Sequence, residues 1–390
     1  MISSVIAEFN PFHNGHAYLL QKAKEESDAL ICVMSGNFVQ RGDTAIFDKR
    51  KRTEFALKNG ADLVISLPVG WSMSTAENFA FGGISLLKNT QIVDRVVFGS
   101  ECSDINLLNK TADIISQDGF DHKVKEIMRD GVSYATARQQ AVKVYSDELS
   151  HTLSKPNNTL AVEYILAAKK LGFSPAYCSV KRVGVEHNSY ESNEEYMSGS
   201  ALRELIKSGD FKQIEKYVPT NIFNDLVTEN FSDIERLNYA LLFKIRSMSK
   251  EELSKIPDVS EGLENRIFDL AKRSKNLFEL AESIKTKRYT LARIRRVLMC
   301  AAFGITNEFL KKEPPYIHIL GCTLKGEELI KEIAKKSKLP LIISAKDALN
   351  LEGFAKKTFE LEEHTSNLYS MSFSPMLDSY SEYSQKLIKI

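Results

Sequence analysis

Short apolar runs alternate with helix-period stretches through the first half of the chain, and that alternation limits the fold more than any other feature. The runs at 4–9, 29–34, 63–67 and 94–98 read as buried strands. Between them, 15–26, 49–59 and 76–87 carry helical spacing. Strand–helix–strand units of this length build a parallel, doubly wound sheet. A later run at 177–183 reads as another strand of that sheet, 199–208 as its closing helix, and 104–171 as a mostly helical insert.

Beyond about residue 211 the texture changes. Strand-like runs vanish, and Lys, Glu and Leu recur at helical spacing from Ile222 to Phe303. Pro314-Pro315 then interrupts the chain, after which 316–320 and 340–343 read as strands on either side of a helix at 325–336. The expected fold class is α/β: a parallel-sheet domain over 1–210, a helical domain over 211–312 and a small C-terminal α/β segment over 313–390. The stretch 366–390, rich in Ser and Tyr, is assigned to no element.

With 52 Lys+Arg against 51 Asp+Glu, the net charge is +1, so any nucleic-acid contact must be local. The five cysteines (Cys32, Cys102, Cys178, Cys300, Cys322) show no CxxC or Cys/His spacing. Reduced thiols are expected, with no zinc site and no disulfide framework. The N-terminal MISSVIAEFNPFHNGH lacks a charged n-region and a long apolar core, so no signal peptide is expected. No run approaches the roughly 18 apolar residues of a membrane span. A cytoplasmic protein without membrane or DNA contacts is the expectation.

The chemistry concentrates in Glu8-Phe9-Asn10-Pro11-Phe12-His13-Asn14-Gly15-His16, which follows the first strand and opens the first helix. Ligands of open α/β sheets bind at the C-terminal strand ends, where helix N-termini present free N–H groups. Pro11 fixes the loop, and Gly15 permits close approach of a phosphate. His13 and His16, three apart, fall on one side of the first turn. There they can donate hydrogen bonds to phosphate oxygens as charge moves onto a leaving pyrophosphate. The expected ligand is a nucleotide.

A second piece, Ser198-Gly199-Ser200-Ala201-Leu202-Arg203, opens the 199–208 helix. It resembles the Ser-Ser-x-x-x-Arg signature that closes the ATP site in HxGH enzymes, and it fits a plain helix cap as well. Gly99, Asn157, Asn158 and Arg182 suit an adenosine pocket, and equally a turn, a cap or a surface charge.

These blocks together resemble the bacterial tRNA(Met) cytidine acetate ligase family of HxGH proteins. Further segments carry the likeness along nearly the whole chain: 33–42 (VMSGNFVQRG), 59–68 (NGADLVISLP), 76–80 (AENFA), 98–101 (FGSE), 156–158 (PNN), 261–266 (EGLENR), 286–289 (TKRY) and 293–296 (RIRR). One departure is Ser-Gly-Ser in the closing motif where a second hydroxyl is usual. The resemblance implies a Rossmann-like nucleotidyltransferase domain that uses ATP and acetate to form acetyl-adenylate and release pyrophosphate. The acetyl group would then pass to the exocyclic amine of the wobble cytidine in elongator tRNA(Met).

The resemblance maps the ATP site onto Ile6, Ala7, Glu8, Phe9, Asn10, Pro11, Phe12, His13, Asn14, Gly15, His16, Ala17, Tyr18 and Leu19, with Gly99, Arg182 and one of Asn157 and Asn158. His13, His16, Ser200 and Arg203 would carry catalysis, with Mg²⁺ brought by the nucleotide rather than held in a protein metal site. For tRNA the densest basic segment is Lys285, Lys287, Arg288, Arg293, Arg295 and Arg296, with no acidic residue between Lys285 and Ala302. Tyr289 could stack on a base. Lys49-Arg50-Lys51-Arg52 is a second basic candidate, and Gln40-Arg41-Gly42-Asp43 is expected at the mouth of the site. Two alternatives stay open: adenylyl transfer onto a small phosphorylated substrate, and an RNA-binding protein without catalysis.

Overall fold

A computed structural model of the 390-residue chain describes residues 1–182, 196–260, 262–286, 289–379 and 381–390. Five strands come from its first half: β1 (Ile2–Ala7), β2 (Ala29–Ser35), β3 (Leu63–Leu67), β4 (Arg95–Ser100) and β5 (Ala176–Lys181). Three more, β6 (Ile317–Cys322), β7 (Leu341–Ile342) and β8 (Ile388–Lys389), come from the C-terminal segment. Among the described residues they form one eight-stranded sheet in the order β8-β6-β3-β2-β1-β4-β5, with β7 also paired to β6.

β1 through β5 pair in parallel, and the central β2 and β3 are buried along their whole length, as strands covered on both faces are. Alternate side chains divide between two cores. Ile31, Val33, Leu63 and Ile65 face one, whereas Leu30, Cys32, Met34 and Val64 face the other. The helices that cover these faces include α1 (Asn14–Lys24), α2 (Lys49–Lys58), α3 (Ala76–Thr90), α4 (Pro156–Leu171) and α5 (Gly199–Ser208). The insert is helical from Ile105 to Thr152, in four pieces.

The segment 313–390 does not stand apart from the N-terminal sheet. β6 lies antiparallel on β3, pairing Leu63 with Cys322 and Ser66 with His318. The helical region is therefore an excursion between two strands of one sheet. Its last long helix, α6 (Leu291–Phe303), buries Ile294, Val297 and Leu298 in the same cluster that holds Ile31 and Ile65. Phe303 meets Phe38 edge-on at 4.8 Å. All five cysteines are free thiols.

The Lys49–Arg52 run is not a surface patch. Lys49 and Arg52 are fully buried: Lys49 pairs with Glu382 at 2.5 Å, and Arg52 donates to four carbonyls. Arg50 reaches the Lys386 carbonyl, and Lys51 pairs with Glu54 and Glu229. The basic run looked exposed because its partners lie far away in sequence.

His318 lies buried beside this cluster, and desolvation, helped by Lys49 and Arg50, pushes its imidazole down to about 4. The unfolded chain protonates it near 6.5. Stability linked to the depressed group is present above the unfolded value and lost as pH falls through the folded one, by about 3 kcal/mol at most. Urea unfolding at about pH 7 and pH 4.5 should show a smaller acid loss in His318→Gln than in the parent. Equal losses would place the acid sensitivity elsewhere.

Candidate active site

The sheet order places the site. The chain steps from β1 to β2 to β3, then returns across β1 to lay β4 on its other side. Such a switch point leaves a crevice at the C-terminal strand ends. Here β1 pairs with β2 as far as Ala7↔Met34, but with β4 only at Ser3↔Arg95 and Ser4↔Val96. Beyond Ser4 the two strands part, and a cavity of about 210 Å³ opens between them.

Of the residues expected at an ATP site, Ile6, Ala7, Glu8, His13, Gly15, His16, Tyr18, Leu19, Gly99, Asn157 and Arg182 line this cavity. Phe9, Asn10, Pro11, Phe12, Asn14, Ala17 and Asn158 do not line it; several of them brace the loop instead. Phe9 and Phe12 are fully buried with their rings 5.1 Å apart, and Phe9 meets the His16 ring edge-on at 5.1 Å. The Asn10 side chain accepts from the Ile46 N–H, and Asn10-Pro11 is a cis peptide. Asn14 donates to the Lys216 carbonyl.

His13 is the N-cap of α1 rather than part of its first turn, and its carbonyl accepts from the N–H of His16 and Ala17. The two imidazoles stack at 3.8 Å between centroids, 23° from parallel. They lie on one side of the helix start, as the spacing implied. Gly15 leaves the His13 ring its place, because a Cβ there would lie 2.9 Å from it and displace it.

At the β4 end, Gly99 makes room for Arg182, whose Cγ would sit 3.2 Å from a Cβ. The Arg182 guanidinium donates to Asn157 Oδ1 at 2.8 Å. Glu101 takes up the first free N–H groups of α4, receiving those of Asn157 and Asn158 together with the Asn157 side chain. Asn158 is buried, and its Oδ1 accepts from the Glu101 and Cys102 N–H groups. The two asparagines, indistinguishable in sequence, therefore have different places: Asn157 at the cavity wall and Asn158 in the scaffold.

The second motif is both a cap and a clasp. Ser198 caps α5 by accepting from the Ala201 N–H, and its hydroxyl lies 3.1 Å from that of Ser200. Arg203 donates to the Asn10 carbonyl at 2.8 Å, which ties α5 to the histidine loop. Desolvation, chiefly, lowers the Arg203 pKa. Neither Ser200 nor Arg203 lines the cavity itself.

Sequence reasoning missed the apolar wall: Phe79, Phe98, Leu160 and Tyr164, with Val180, Lys181, Tyr196 and Met197. Phe98 and Tyr164 lie 5.9 Å apart. Phe79 and Phe98 fall in the 76–80 and 98–101 segments that carry the resemblance but were given no role there. Nothing but helical spacing, which describes any core position equally well, marks Leu160 and Tyr164. Gln40 of the loop expected at the mouth does line the cavity.

The basic cluster is more encumbered than its sequence suggests. Arg293 donates to the Asp258 carbonyl and lies over the Tyr289 ring at 4.9 Å. Arg295 lies over Phe278 at 5.3 Å, and Arg296 sits 3.8 Å from the Asp258 carboxylate. Lys285 pairs with Glu282 at 3.3 Å. Lys287 and Arg288 lie outside the described residues. Tyr289 is only 9% exposed, packed under Arg293, so it is no stacking platform for a base.

The family model described as HIGH Nucleotidyl Transferase matches residues 1–384. A tRNA(Met) cytidine acetate ligase of Thermoanaerobacter sp. (strain X514) is 38% identical over 406 residues, covering all of both chains. This chain belongs to the tRNA(Met) cytidine acetate ligase family. Another ligase of that name, from Caldanaerobacter subterraneus subsp. tengcongensis, is 36% identical and covers 99% of each chain. Among solved structures, the apo form of Thermotoga maritima TmcAL superposes with a TM-score of 0.92 at 33% identity, over 100% of both chains. The same protein bound with alpha-thio ATP gives 0.90 at 32% identity, again over both whole chains. Family membership agrees with a cavity lined by both histidines at the switch point of the sheet.

Proposed function

We propose that this chain activates acetate with ATP and transfers the acetyl group to the wobble cytidine of elongator tRNA(Met), forming N4-acetylcytidine. The observation that carries the reading is the stacked His13–His16 pair at the α1 N-terminus, inside the cavity at the switch point. ATP places its adenosine toward Gly99, Asn157 and Arg182 and its phosphates toward the two histidines. Arg203, clasped to the same loop, and Ser200 at the start of α5 steady the departing pyrophosphate. An acetate oxygen attacks the α-phosphorus in line, and the histidines donate to the oxygens that gain charge.

Among the described residues no group of three or more His, Cys, Asp or Glu is arranged to hold a metal. In this reading Mg²⁺ would arrive with the nucleotide and offset the charge of its phosphates. No helix among the described residues is long and apolar enough to cross a membrane. The deciding experiment is ATP–pyrophosphate exchange without RNA. Exchange that appears only with acetate supports acetyl-adenylate; exchange indifferent to acetate moves the reading to adenylyl transfer onto another substrate.

The division of labour, with 1–210 for ATP and 211–312 for tRNA, belongs to the same proposal. Truncation near residue 211 is a poor test of it, because that cut also removes β6 and uncovers the β3 edge. Point substitutions leave the sheet intact. Arg295→Gln is expected to weaken tRNA binding and lower the slope of log affinity against log salt by about one unit, read by filter binding across a salt series. An unchanged slope would remove Arg295 from the phosphate contacts.

A further inference from the structure

We propose that Glu8 meets the acceptor amine of the nucleic acid and takes its proton during acetyl transfer; this rests on the ligase reading above. Glu8 lines the same cavity as His13 and His16. Phosphates and acetate are both anions, which an ionised carboxylate repels, and the adenosine is assigned above to Gly99, Asn157 and Arg182 at the β4 end of the cavity. What it can serve is an N–H donor, and an exocyclic amine carries two.

The position of Glu8 supports this role. Its backbone carbonyl is held by the buried Arg52 guanidinium, which fixes the strand end. Its Oε1 accepts from the Gln40 N–H at 2.8 Å. Among the described residues no other group donates a hydrogen bond to the carboxylate, which leaves its second oxygen to the contents of the cavity.

Gln40 belongs to the loop that reaches the helical region. At Gly42, two residues on, φ is +70° and a Cβ would fall 2.8 Å from the backbone of Arg295 and Arg296. One hydrogen bond and two residues thus separate Glu8 from the backbone of α6. A strand whose phosphates are held along α6 reaches the cavity from that side, and Glu8 stands where its base would enter.

Burial raises the proton affinity of Glu8 above that of an ordinary glutamate, against the pull of the Gln40 N–H, Arg203, Arg41 and Arg52. A carboxylate so placed is a more effective proton acceptor near neutrality. In the step itself the cytidine nitrogen lone pair attacks the acetyl carbonyl carbon of acetyl-adenylate. The new C–N bond forms, the C–O bond to AMP breaks, and AMP leaves with that electron pair. The amine proton passes to the Glu8 carboxylate and from there to solvent.

The test compares the parent, Glu8→Gln and Glu8→Asp by two assays on the same preparations. One is acetate-dependent ATP–pyrophosphate exchange; the other is single-turnover transfer from pre-formed acetyl-adenylate to tRNA. Glutamine keeps the size and an acceptor for the Gln40 N–H but takes no proton. The ratio of transfer to exchange should fall about 100-fold or more in Glu8→Gln and recover in part in Glu8→Asp. Misfolding lowers both assays alike and leaves the ratio unchanged. A ratio within about three-fold of the parent in both variants overturns the proposal. So does a loss that appears as a raised KM for ATP and that transfer follows in proportion, since Glu8 would then serve the nucleotide. A parent without acetate-dependent exchange would instead overturn the ligase reading itself.

Discussion

His16→Ala is expected to lower acetate-dependent ATP–pyrophosphate exchange by about 100- to 1000-fold, the scale of losing one preorganised donor to a developing negative charge. The ring is held on three sides, stacked on His13 at 3.8 Å, edge-on to Phe9 at 5.1 Å and tilted against Phe12 at 5.7 Å. Such packing aims the imidazole before the nucleotide arrives, so little reorganisation is left for the reaction. The substitution also separates the competing functions. A ligase loses turnover while its tRNA affinity, which the proposal assigns to α6, stays near that of the parent. Exchange within about three-fold of the parent would remove His16 from the phosphate chemistry.

The second large effect is on stability. Arg52→Met should cost about 4 kcal/mol or more, seen as an early midpoint in urea unfolding. The Arg52 guanidinium is wholly buried and donates to the carbonyls of Phe47, Glu8, Ser35 and Gly36 over 2.5–3.0 Å. These acceptors come from the ends of β1 and β2 and from the loop before α2. Methionine fills much of the volume but leaves the carbonyls without donors in a site that water does not reach. Lysine offers a single ammonium where a planar fork reaches four oxygens, so Arg52→Lys should recover only part of the loss. A midpoint within the error of the parent would show that these carbonyls find other partners.

Those two residues show what a sequence displays and what it conceals. The histidine loop was legible because its parts are consecutive: strand, turn, two imidazoles and helix start all fall within 2–24. Local rules also placed β3 at Leu63–Leu67 and α5 at Gly199–Ser208. β4 runs to Ser100 rather than ending at 98, because Gly99 and Ser100 continue the parallel pairing with Val180 and Lys181. The partner strand was itself read at 177–183, but no local pattern reports its register against β4.

Arg52 was misread for the same reason. Its neighbours in sequence are cations, which suggests a solvated face, while its partners lie as far as 44 residues away. The final Ser- and Tyr-rich stretch, assigned to no element from the sequence, was illegible for a related reason. Ser366, Ser370 and Ser372 look like loop residues but are buried, with Ser366 bonded to Glu382 and Ser372 to Ser232. Polar residues satisfied over long range carry no periodic signature. Part of the cavity wall was hidden because Leu160 and Tyr164 sit on one helix and obey the same spacing as ordinary core.

Because β5 and β6 belong to one sheet, the helical excursion between them is fastened at both ends. A body on one linker can swivel; one anchored at two places on a shared scaffold keeps at most a hinge. The span from α6 to the paired histidines then works as a fixed gauge. On the proposed seating of RNA along α6, a target base would react only if it extends by the length of that gauge, and similar anticodon loops would then be told apart by reach as well as by base identity.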